Sequence, residues 1–255
     1  MADKRKNLFG GIHPAVISVW AAVLAASHML PAVPLIGVGG TMSVSTALAP
    51  LTGIFFGPWA GLLCAAIGNI IGDLIAPNGA WLGIFTFIVP TVNTFGAGLL
   101  SHGKKTALMG YLLYAAGLGL WLSLEIGRKA WIHGVACNGL GIIATTFAVF
   151  AGKKFLTGKN LLLKSIAIWI ISYGGMMAAC TFAGSMNVIL FQSPAISFKV
   201  VLGIGLIERA VFSTAAMIIG VPLLTALPKI GIYVGPKSDE FLLEEAEEVQ
   251  ESVVE

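Results

Sequence analysis

Residues 43–77 constrain this chain more than any other stretch. They read SVSTALAPLTGIFFGPWAGLLCAAIGNIIGDLIAP, 35 residues with one formal charge, Asp73. A membrane-crossing helix needs about 20 apolar residues, so the run is too long for one ordinary span. Gly57-Pro58 punctuates its middle. Proline removes a backbone donor and disfavours helix at the residue before it. The expectation is two short membrane helices folded back at Gly57-Pro58. Asn69 and Asp73, four residues apart, then share one face of the second helix. A carboxylate in an apolar span is costly and marks function.

Apolar residues make up 57% of the chain, charged residues 11%, and the mean hydropathy is +0.91. That composition belongs to a polytopic membrane protein. The long apolar runs predict an all-α bundle, since barrel strands would alternate. The net charge of +3 is scattered over span ends, with no basic stripe and interleaved aromatics to hold nucleic acid. Cys64, Cys137 and Cys180 fall inside predicted spans without a CxxC or other metal-ligand spacing, and read as small buried hydrophobes. The motifs GxxxxGK[ST], HExxH and GxSxG are absent, so the sequence points to no cofactor, no metal and no enzyme. Gly72-Asp73 is half of what an intramembrane aspartyl protease needs, and no second carboxylate appears in that context.

The apolar runs divide into about eight transmembrane helices over a domain at 1–237, followed by an acidic cytoplasmic tail at 238–255. Span one covers about 14–30 and continues a basic lead, Lys4-Arg5-Lys6, which reads as an uncleaved anchor and not a signal peptide. Spans two and three are the hairpin. The others cover about 82–100, 107–124, 130–151, 165–183 and 200–227. With both termini cytoplasmic, this count leaves 11 basic residues inside and 3 outside. Reading 43–77 as one span would flip the later loops and leave 6 inside and 8 outside. The positive-inside rule favours the first arrangement, a cell-membrane protein. The tail holds Leu242, Ala246, Val249 and Val253 at helical spacing, either a short amphipathic helix or a solvated acidic end.

Under this topology the polar residues gather in the outer halves of the spans. Asn69 and Asp73 approach the outer end of span three. Glu125 and Arg128 lie between spans five and six. His133 and Asn138 lie in the outer half of span six, and Glu208-Arg209 sits about 12 Å below the outer end of span eight. Trp81, Trp121 and Trp131 mark the outer boundary, as interface anchors or as ligand stackers. Each residue alone has a structural explanation. Together, Asn69, Asp73, Trp81, Glu125, Arg128, His133, Asn138, Glu208 and Arg209 are the candidate substrate-binding set of one outward-facing cavity.

Several segments resemble the substrate-binding S components of energy-coupling factor (ECF) transporters. The hairpin has their apolar helix, a Gly-Pro-x-x-Gly turn at 57–61 and an ending in Gly72-Asp73. The last span is similar to their final helix, with its Gly-Val-Pro-Leu close at 220–223. Span one carries an alanine stripe, Ala21/Ala25 and Ala22/Ala26, like the one the family docks on a transmembrane T component. The resemblance covers about the first 105 and last 25 residues. It departs in helix count: S components usually have six, and an extra pair would lie within 107–198. It implies a subunit that binds a vitamin or similar small molecule outside, docks through Ala21, Ala22, Ala25 and Ala26 on a T component coupled to two ATPases, and topples to deliver the solute. A second reading from the residues alone is a proton- or cation-coupled secondary transporter using Asp73 or Glu208.

Overall fold

The computed structural model describes residues 14–30, 33–35 and 40–236. The basic lead, much of the glycine-rich 36–41 loop and the acidic tail lie outside the described residues. The protein is a helical bundle with one small antiparallel ribbon, β1 (Val33–Leu35) against β2 (Gly40–Met42). Its helices are α1 (Pro14–Ser27), α2 (Ser45–Ile75), α3 (Ile88–Ser101), α4 (Lys104–Ser123), α5 (Glu125–Lys129), α6 (Trp131–Phe147), α7 (Lys153–Thr157), α8 (Leu161–Phe191) and α9 (Ala195–Ala226). Among the described residues, six helical segments are long and apolar enough to cross a membrane, and α1 is a shorter apolar helix. The protein is therefore a multi-pass membrane protein.

One of those six segments, α2, is broken at Gly57, where φ is 78° and ψ 180°. A side chain is strained in that conformation, so glycine occupies it. Around this break the two limbs lie side by side: a Cβ built on Gly61 would stand 3.2 Å from the Cα of Gly53. Residues 45–56 and 58–75 thus form the expected hairpin, and six long segments plus α1 make eight helical passes through the bundle.

Small residues set how closely these passes approach. A Cβ on Gly98 of α3 would meet the Pro58 nitrogen at 2.7 Å, and one on Gly68 would meet the Ala21 carbonyl oxygen at 2.7 Å. So α3 crosses the hairpin at its turn, and α1 lies along the second limb. Polar side chains then bond between helices, which satisfies groups that lipid cannot. Thr94 Oγ1 donates to the Ala49 carbonyl at 2.7 Å, and Trp20 Nε1 donates to Thr52 Oγ1 at 2.7 Å. On the other side Tyr114 OH donates to the Gly174 carbonyl at 2.8 Å, and Trp169 Nε1 to Thr214 Oγ1 at 3.0 Å.

The core sits around α8, which packs against α3, α4, α6 and α9. Its length exceeds the expected 165–183 at both ends, so that Asn187, between the expected seventh and eighth spans, is helical. The helix continues because no proline or glycine interrupts it after Gly184, and its end comes at Gln192 in the left-handed region (φ 51°), before Pro194. Expected span four starts later as regular helix, at Ile88, after a 3-10 turn at Gly83–Phe85. Trp121, read as a boundary residue, is fully buried, with its ring against His133 and Phe198. Trp131 is exposed as a boundary residue would be.

Candidate functional site

The bundle holds a partly open cavity of about 110 Å³ at the end where α1 and α8 finish and α3 and α9 begin. Its wall combines the α2 entrance and exit with α3, α6, α8 and α9. Apolar atoms dominate, with a few convergent polar groups, as in small-molecule sites generally.

Of the nine candidate residues, Asp73, Trp81, His133, Glu208 and Arg209 line this cavity. Asn69 stands behind it, its Nδ2 donating to the Ala65 carbonyl at 2.7 Å and its Oδ1 bonded to His28 Nε2 at 3.0 Å. Asn138 is also outside the lining, buried, with Nδ2 donating to Gly134 O at 2.7 Å and Thr181 Oγ1 at 3.0 Å. Glu125 and Arg128 do not reach the cavity. They lie on α5, where Lys129 bonds Glu125 at 2.7 Å and holds its carboxyl below the usual range. Arg128 Nη1 instead donates to the carbonyls of Leu122 and Ser123 at 3.1 and 2.9 Å, capping the end of α4.

Sequence reasoning missed His28. It follows α1 directly and inserts between α1 and the second limb of α2, above Gly72, where a Cβ would collide with its ring. Since Asn69 Nδ2 is committed to Ala65, Asn69 Oδ1 is the acceptor and His28 Nε2 carries the proton. The other ring nitrogen, Nδ1, stands 3.4 Å from Asp73 Oδ1. A histidine one residue past an apolar helix was the available signal, an ionisable group at membrane depth. Asn93, Asn187 and Phe198 also line the cavity. Asn93 and Asn187 were visible as polar residues in or beside spans but had no assigned partner.

Several wall groups are left without hydrogen bonds inside the described chain. Asp73 Oδ1 faces His28 Nδ1 at 3.4 Å, while Asp73 Oδ2, Asn93 Oδ1, Asn187 Oδ1 and His133 Nδ1 are buried and unpartnered. An orphaned buried polar atom is destabilising until something bonds it. Three of these four unpartnered atoms are oxygens, which can accept from N–H or O–H groups.

On the outside of α1, Ala22 and Ala26 are exposed together with Ser18 and Val19, whereas Ala21 and Ala25 are buried against the chain itself. The two alanine pairs therefore lie about 100° apart on the helix, one turned inward and one outward. The sequence also showed no metal-ligand spacing, yet the fold brings His133, Cys137 and Cys180 together, all buried.

Fold and cavity define a multi-pass helical membrane protein with a polar-edged cavity at one end. Residues 13–124 match the family model described as the ECF-type riboflavin transporter, S component. This segment, rather less than half of the chain, carries α1 to α4, and over it the chain is similar to S components, as the hairpin and α1 resemblance implies. The chain is also 22% identical over 181 residues to an uncharacterised protein of Methanocaldococcus jannaschii, a match covering 70% of this chain. It spans 59% of that relative's length. No solved structure matches the chain.

Proposed function

We propose that this protein is the substrate-binding S component of an ECF-type importer, and that it takes up a flavin-like vitamin from the outer face. The observation that carries the reading is the S-component match over residues 13–124, which supply His28, Asp73, Trp81 and Asn93 to the cavity wall. The unpaired acceptors suit a ligand with imide and polyhydroxyl donors, as riboflavin has.

The basic residues support the orientation. Lys104, Lys105, Lys153, Lys154, Lys159, Lys164 and Lys229 lie at the Gly57 end, against Arg128, Lys129 and Lys199 at the cavity end. The cavity then opens outward, the eight passes leave both termini cytoplasmic, and the exposed Ser18–Ala22–Ala26 face of α1 meets the T component. Two ATPases on that module supply the energy. Asp73, Trp81, His133, Glu208 and Arg209 are the wall residues that contact solute in this reading.

The test is equilibrium binding of riboflavin to the detergent-purified protein by quenching of flavin fluorescence, with thiamine and biotin as controls. Saturable binding of riboflavin supports the reading. Absence of flavin binding with capture of another vitamin moves the substrate but keeps the S-component role. Failure to co-purify with a T component and ATPases from native membranes overturns that role.

A further inference from the structure

Beside the solute cavity is a second, narrow void, too tight for a water molecule, lined by His133, Cys137, Cys180 and Arg209 with apolar residues of α9. His133 and Cys137 are four residues apart on α6 and so project from one face. Cys180 comes from the middle of α8. The two sulfurs are 2.9 Å apart, and Cys180 Sγ is 3.8 Å from His133 Nε2. All three donor atoms lie within 4.8 Å of one another and all three residues are buried. Trp121 and Phe198 pack on the imidazole, with ring centroids 5.1 and 5.5 Å away, and fix its orientation.

From this cluster we infer that His133, Cys137 and Cys180 bind a soft d10 metal ion, Cu+ or Zn2+. Two thiolates and an imidazole are the donor set such ions select over hard cations. Zinc bonds sulfur at about 2.3 Å and nitrogen at about 2.0 Å, so a tetrahedral centre sets S···N near 3.5 Å and S···S near 3.8 Å. The observed S···N spacing is already close to that. The sulfurs need to part by about 1 Å, a small χ1 rotation with a matching widening of the adjoining void. Charge agrees: two thiolates and Cu+ leave one negative charge beside the Arg209 guanidinium, which also lines that void. His133 and Cys180 line both the void and the solute cavity, so a three-coordinate ion keeps its open side toward the solute.

The test uses the full chain, purified under reductant and loaded with Zn2+, with Cu+, or with Co2+ as a spectroscopic stand-in. After desalting, the wild type should retain one ion per chain, and the cobalt form should show a near-ultraviolet sulfur-to-cobalt band. Cys137→Ala and Cys180→Ala should each lose the band and weaken binding by about 100-fold or more, above the loss seen even for outer-sphere partners. Should an alanine variant not fold, Cys137→Ser and Cys180→Ser keep the volume and read the same quantities. Competition with a Cu+-specific chelator against a Zn2+-specific one tells the two ions apart. Wild type that retains neither ion, or folded cysteine variants that retain as much as wild type, would overturn the site. Flavin binding plays no part in this readout, so the two proposals fail separately.

Discussion

Asp73 and His28 face each other at 3.4 Å across the α1–α2 contact, and both side chains are almost completely buried, at 11% and 5% exposure. The pair ties the end of α1 to the end of the hairpin at the edge of the cavity. Groups in such contact couple energetically by about 0.5–3 kcal/mol. A double-mutant cycle of His28→Ala and Asp73→Ala should give a coupling within that range, read from thermal unfolding in detergent. Additive effects would show that the two residues act independently.

Asp73 also presents its other oxygen, Oδ2, unpartnered at the cavity wall. Asp73→Asn keeps the shape and converts one acceptor to a donor, so solute affinity should fall by about 10-fold or more, the equivalent of one lost charge-assisted hydrogen bond. Titration of the purified variant measures this. Wild-type affinity would assign Asp73 to structure alone.

Gly72 lies under the His28 ring, and Gly68 lies against the Ala21 backbone. Gly72→Ala and Gly68→Val overpack this seam and should each lower stability by about 1–3 kcal/mol. Gly119→Ala, on an open part of α4 where nothing lies within 4 Å, is the control and should leave the melting temperature unchanged or slightly raised, since alanine costs less helix entropy than glycine.

Ala22→Leu and Ala26→Leu enlarge the exposed side of α1 without touching the cavity. Solute binding should persist in the isolated protein, and uptake by the assembled transporter should be lost. Normal uptake in both variants would remove the docking role from this face.

Glu125 and Lys129 form an exposed pair on α5, away from the cavity. Glu125→Gln should leave affinity and melting temperature as in wild type. A drop in affinity would mean that α5 folds over the mouth when solute enters.

The bundle was legible in the sequence because its signals are local. A run of apolar residues, a Gly-Pro break and the lysine asymmetry each act over one span, and the hairpin at Gly57 follows from them. The site was legible only in part. Asp73, His133 and Arg209 stand out as ionisable residues in spans, and depth alone places them near one another. Glu125 and Arg128 share their depth, but the short helix α5 turns them toward solvent, and no periodicity reports the direction of a five-residue helix. His28 and the Cys137–Cys180 contact depend on which helices are neighbours. Helix adjacency is set by glycines such as Gly72 and Gly184, whose partners lie far away in the chain.

The break at Gly57 has a consequence for how the protein enters the bilayer. Residues 45–56 extend only about 18 Å as helix, short of a hydrocarbon layer of about 30 Å. On its own this limb leaves backbone ends in lipid, and it has no polar loop to hold its position. Its neighbour, residues 58–75, must therefore be synthesised before the first limb can settle, and the two partition together as one wedge. A cysteine placed in residues 45–56 should react with a water-soluble maleimide in a nascent chain halted near Gly57 and be protected in one halted well beyond Ile75.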